Sequence, residues 1–178
     1  MKKTTCTVIC MMAMTLFATS MALAQNIKLS DPEVAHAAVT ANQIDIDFAQ
    51  IALKKSKDAE IRKFAQTMTN DHQAVIKQAA ALASKLGVTP TDNAVSKQLL
   101  ADAEKTIKML NAASSKEFNR AYIDNEVAYH KSVINAVEGL LIPETENQEL
   151  KELLENVVPA LKAHLGHAEM VQKMVSKP

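Results

Sequence analysis

The 178-residue chain carries 20 basic and 20 acidic side chains, three glycines, no tryptophan and two cysteines. Without Lys2 and Lys3 at its start, 18 basic groups face 20 acidic ones, a net of two negative charges that argues against nucleic acid as a partner. This length fits one domain, and no nucleophile–base–orienter set, phosphate loop or cysteine cluster singles out a catalytic residue.

Met1-Lys2-Lys3, an apolar run over 8–18 and Ser20-Met21-Ala22-Leu23-Ala24 follow the basic, apolar, small-residue order of a secretory signal. Cleavage is expected after Ala24, which makes 1–24 a signal peptide and 25–178 a periplasmic or secreted domain. The apolar run is shorter than the roughly 20 residues that span a bilayer, and no later segment approaches that length, so no transmembrane segment is expected after cleavage. Cys6 and Cys10 lie inside the signal, and neither follows Ala24 as a lipoprotein cysteine would.

Ser30-Asp31-Pro32-Glu33 is a helix start, and apolar residues recur at helical spacing over 34–53. A charged break at 54–58 precedes a second helix carrying Ile61, Ala65, Met68, His72, Val75, Ala79, Leu82 and Leu86, which stops at Gly87. Residues 87–92 read as a loop, and a shorter amphipathic helix follows over 95–110. Ser114 to Glu117 resemble a cap for a third long helix with Ile123, Val127, His130, Ile134, Val137 and Leu141, which turns at Pro143. The fourth begins near Glu146 and carries Leu150, Leu154, Val157, Leu161, His164, Ala168, Val171 and Val175, with a bend expected at Pro159. The expected class is all-α.

Four polar residues interrupt these apolar seams: His72, His130 and His164, and on the first helix Asp45, within Val34, Ala38, Ala41, Asp45, Phe48 and Ala52. Helical rise puts Asp45 and His72 about 16 and 24 Å from the first turn, and His130 and His164 about 21 and 30 Å from the second, so partners in each hairpin are expected at heights about 10 Å apart. A buried polar group without a partner costs about 1–3 kcal/mol, so something must satisfy them. One reading is a hydrogen-bonded layer with Tyr122, Asn125 or Glu126 that fixes helix register. Another is a transition-metal site, because bundles build such sites from inward side chains and imidazole suits zinc, copper and iron. His167, Met170 and Met174, which follow His164 at helical spacing, are a second-choice copper set, although methionine at such spacing more often fills a core. Glu33-x-x-His36 has di-iron spacing but occurs once, in a first helical turn.

Phe64-Ala65-x-x-Met68-x-x-Asp71-His72, Phe118-Asn119-x-x-Tyr122 with Val127-x-x-His130, and Pro159-x-Leu161-x-x-His164-Leu165-x-x-Ala168 together resemble the bacterial family called domain of unknown function 4142. Its members are exported, often labelled outer-membrane proteins, and ferritin-like in fold. The resemblance spans nearly all of the mature chain. It implies a ferritin-like antiparallel four-helix bundle with one extra short helix between helices two and three, and singles out the same three histidines. It supplies no activity. Where that family is expected to carry glutamate on helix one this chain has Asp45, and helices two and four lack the Glu-x-x-His pairs of di-iron proteins. Three readings follow: a non-enzymatic envelope protein that binds a ligand or partner in envelope stress; a metal-binding protein with a redox or storage role using iron, zinc or copper; and a structural protein that pairs with a second copy or another envelope protein.

Overall fold

A computed structural model describes residues 28–175, all of whose regular elements are helical; the expected signal peptide lies outside the described residues. Helix α1 spans Asp31–Lys55. The Ser30 backbone N–H and hydroxyl both donate to the Glu33 carboxylate, at 2.9 and 2.7 Å, and the backbone donation holds Glu33 below the usual carboxylate range. Helix α2, Ala59–Leu86, is capped by Asp58, which accepts from the Glu60 and Ile61 amides, and ends at Gly87 with φ of 64°. That left-handed conformation suits glycine and lets the Val88 amide reach back to the Ala83 carbonyl. Helix α3 is Ala94–Ala112, capped by Asn93.

Helix α4, Phe118–Ala136, continues into a π-helical turn at Val137–Leu141 and a short α5 at Ile142–Glu144. The chain therefore reverses at 145–147 rather than at the expected Pro143, which sits at the start of α5, where its missing amide costs little. Helix α6, Gln148–Val175, runs unbroken through Pro159. Pro159 and Glu155, whose carbonyl it leaves without a helical partner, are both exposed, so water can serve that carbonyl.

A three-residue link folds α1 against α2, another between α5 and α6 folds α4 against α6, and α3 lies on α1. Covered by α2, α3 and α4, α1 buries even the consecutive Ile44, Asp45 and Ile46. Two apolar clusters form. One gathers Phe48, Phe64, Phe118 and Tyr122; the other is aliphatic, with Val34, Leu141, Leu150 and Leu154. Along α1, α4 and α6 the polar seam residues fall between them. Helix α2 departs from its expected seam: burial stops at His72, and Val75, Ala79, Leu82 and Leu86 are half-buried. Its second half is thus less covered than the rest.

Polar ties at the helix ends set the axial register. Asp31 accepts from the Glu146 and Asn147 amides, both at 2.9 Å, joining the start of α1 to the α5–α6 turn. At the other end Lys55 Nζ donates to the Leu110, Asn111 and Ala113 carbonyls at 2.8, 2.7 and 3.0 Å, a cation placed on the negative end of α3.

Candidate metal centre

His72, His130 and His164 converge. Their ring centroids stand 5.9, 5.3 and 5.7 Å apart, and one nitrogen from each falls within 4.8 Å of the others. Asp45 joins them, its Oδ2 being 3.4 Å from His72 Nε2 and 3.5 Å from His130 Nε2. The expected 10 Å offsets are not found, because turn residues add no helical rise. Counted from the helix ends at Lys55 and Ala59, Asp45 and His72 differ by three residues, about 5 Å, which side chains bridge.

Each imidazole is held through its other nitrogen. His72 Nδ1 donates to Asn42 Oδ1 at 2.7 Å, and Asn42 is oriented by its own Nδ2 donating to the Ala38 carbonyl at 2.8 Å. His130 Nδ1 donates to the Glu126 carbonyl at 2.9 Å. His164 Nε2 donates to Asp71 Oδ2 at 2.9 Å. These bonds set the tautomers, leaving His72 Nε2, His130 Nε2 and His164 Nδ1 as lone-pair donors, and all three are buried without a hydrogen-bond partner, as is His36 Nδ1 away from this cluster. Neutral imidazoles oriented by an amide, a backbone carbonyl and a carboxylate match the outer shell of protein metal sites.

Burial sets the protonation. It pushes His72 down to about 3 and His130 down to about 4, helped by the neighbouring histidines, so both are neutral at physiological pH. Burial also pushes Asp45 up to about 8. Glu126, fully buried on α4, is raised well above the carboxylate range by burial and then by Asp45; Tyr122 is raised by burial and then by Glu126 and Asp45. Both oxygens of Asp45, both of Glu126 and the Tyr122 hydroxyl lack hydrogen-bond partners. Asp45, Glu126 and His130 form a second group whose ligand atoms lie within 4.8 Å of one another. Tyr129 is not part of it, since its hydroxyl donates to the Ala41 carbonyl at 2.8 Å.

The second-choice set does not reach this centre. His167 packs its ring edge-on to Phe64 at 5.1 Å, and Met170 and Met174 are exposed. Glu33 is engaged by Ser30, and Glu33 and His36 belong to neither ligand group found among the described residues. Asn42 and Asp71 were missed by the seam argument. Asp71 adjoins His72 in sequence, but neighbours on a helix diverge by about 100°, so the side chain that holds His164 from across the α2–α6 contact carries no seam signal.

A cavity of about 300 Å³ opens on the centre, lined by Asp45 and the three histidines and, further along, by residues such as Ala35, Val75, Ala79, Leu141, Leu150 and Val157.

The chain belongs to the family described as domain of unknown function DUF4142, whose model matches residues 16–171. No curated protein matches the sequence. Its fold is similar to that of a DUF305 fragment from Deinococcus radiodurans, at a TM-score of 0.69 and 14% identity over 83% of this chain and 99% of that one. It is also similar to CopM in the Cu(II)-bound form, at a TM-score of 0.61 and 16% identity over 83% of this chain and 98% of the other. Among the described residues no helix is long and apolar enough to cross a membrane.

Proposed function

We propose that this DUF4142 protein is an exported, ferritin-like bundle that binds one divalent first-row transition ion in the cell envelope. His72 Nε2, His130 Nε2 and His164 Nδ1 are its ligands, and Asp45 Oδ2 completes the set. The observation that carries this reading is the three buried imidazole nitrogens without partners, each on a ring fixed from behind. Left bare, they and Asp45 would each cost about 1–3 kcal/mol, a penalty that a cation removes by taking their lone pairs. Neutral nitrogen donors with one carboxylate suit zinc, copper(II) or iron(II) rather than calcium or magnesium. Copper is the first ion to try, since CopM, similar in fold, is described in a Cu(II)-bound form. Export is supported by the signal-like order of residues 1–24, and the ferritin-like reading by donors contributed from α1, α2, α4 and α6.

The test is elemental analysis of untagged protein purified from the periplasm, with titration of the stripped protein by copper, zinc and iron(II). Near-stoichiometric metal, or tight one-to-one loading of stripped protein, is expected. Metal-free protein that loads none of the three would leave the register-fixing layer, which the approach of Asp45 to two histidines also favours.

Two further outcomes are expected. Asp71→Asn keeps the size of the group that holds His164 but removes its charge, so the affinity of stripped protein for metal should fall about 10–100-fold with the helical circular dichroism unchanged. The pH profile should also be shallow. Protons compete with metal only below a ligand's own pKa: Asp45, at about 8, releases one proton on loading, whereas His72 and His130 release none until about pH 3 and 4. The Asp45 proton should therefore cost about tenfold in metal affinity per pH unit between pH 7 and 5, and His72 and His130 should add none of the steepening near pH 6 that they would give if they titrated near the ordinary 6.5.

A further inference from the structure

We propose that the cavity beside the histidines binds a medium-chain carboxylate, head on the metal and tail running toward the α5–α6 end. The inference rests on the metal-centre reading, because none of the residues lining the cavity is lysine or arginine and an anionic head has no other cation to meet.

The cavity is polar at one end and mainly apolar beyond it, where the exposed Gln78 and Ser132 also line it. Its polar end holds His72, His130, His164 and Asp45, and its far end is Leu141 and Leu150. From Asp45 back to Ala35 is ten residues of α1, roughly 15 Å of helix, and the other helices leave the histidine level in the same direction. Alanines and valines along α1 and α2 take up little side-chain volume beside this space. The partial exposure of α2 beyond His72 gives a route in from solvent. Apolar walls hold ordered water poorly, whereas an alkyl tail gains by leaving water for them. An apolar protein cavity of about 150 Å³ takes benzene, so 300 Å³ takes about twelve non-hydrogen atoms, the size of an eight- to ten-carbon acid. The three histidines and Asp45 make four ligands, so a carboxylate head enters by displacing Asp45 or as a fifth ligand.

The test is calorimetry of straight-chain acids from hexanoate to hexadecanoate on zinc-loaded full-length protein, with zinc content measured on every sample. Affinity should rise about fourfold per added methylene up to a chain of about ten carbons and then level off. Ala79→Leu and Val157→Phe, two turns from His72 and His164, should move that break to shorter chains, weakening decanoate at least tenfold and hexanoate little, with zinc content unchanged. Should a variant fail to fold, the wild-type series still decides. Zinc-loaded protein with no dependence on chain length, or equal binding to zinc-free protein, overturns the ligand assignment and leaves the metal centre intact. Protein that takes up no zinc, copper or iron overturns the metal centre itself, and the ligand assignment falls with it.

Discussion

His130→Gln protein is expected to lose transition-metal binding while remaining folded. His130 is common to both groups of converging donors, and its free Nε2 faces both Asp45 and the other two imidazoles. Glutamine fills similar volume and can still reach the Glu126 carbonyl, but its amide is a poor metal donor. Losing one of three imidazoles should therefore cost more than the about 10–100-fold that an outer-shell change costs. Competition against a chromophoric chelator reads the affinity, and circular dichroism the fold. A purely structural histidine gives the opposite pattern: unchanged metal uptake and altered stability.

The second large effect is on stability. A ligand that binds only the folded chain stabilises it by about 4 kcal/mol at a thousandfold excess over its dissociation constant. In a domain of this size each kcal/mol moves the midpoint of thermal unfolding by about 2–4 °C, so stripping the metal should lower that midpoint by about 8–16 °C. Re-addition of the ion should restore it, and in His130→Gln protein chelation should change nothing. Identical melting curves before and after stripping would mean that the Asp–His layer is satisfied without a cation.

The helices themselves were legible from residue spacing. The capping residue Ser30, the charged break at 54–58, the stop at Gly87 and apolar positions three and four apart are local signals, and α1, α2, α3 and α6 follow them closely. The same periodicity marked Asp45, His72, His130 and His164 as inward, and all four are buried. It overreached where burial depends on a neighbour: Val75, Ala79, Leu82 and Leu86 keep the seam spacing on α2 but are only half covered.

What the sequence by itself determined, then, was which residues face inward, because a helix of 3.6 residues per turn maps spacing directly onto a face. The tertiary structure decided which of them meet. Their common height depends on how few residues the turns at 56–58 and 145–147 consume and on end-to-end ties such as Asp31 to the Glu146 and Asn147 amides, neither of which has a periodic signature. The tautomers, too, are set across helices, by Asn42 on α1 for His72 and Asp71 on α2 for His164, and such contacts exist only once the chain has folded.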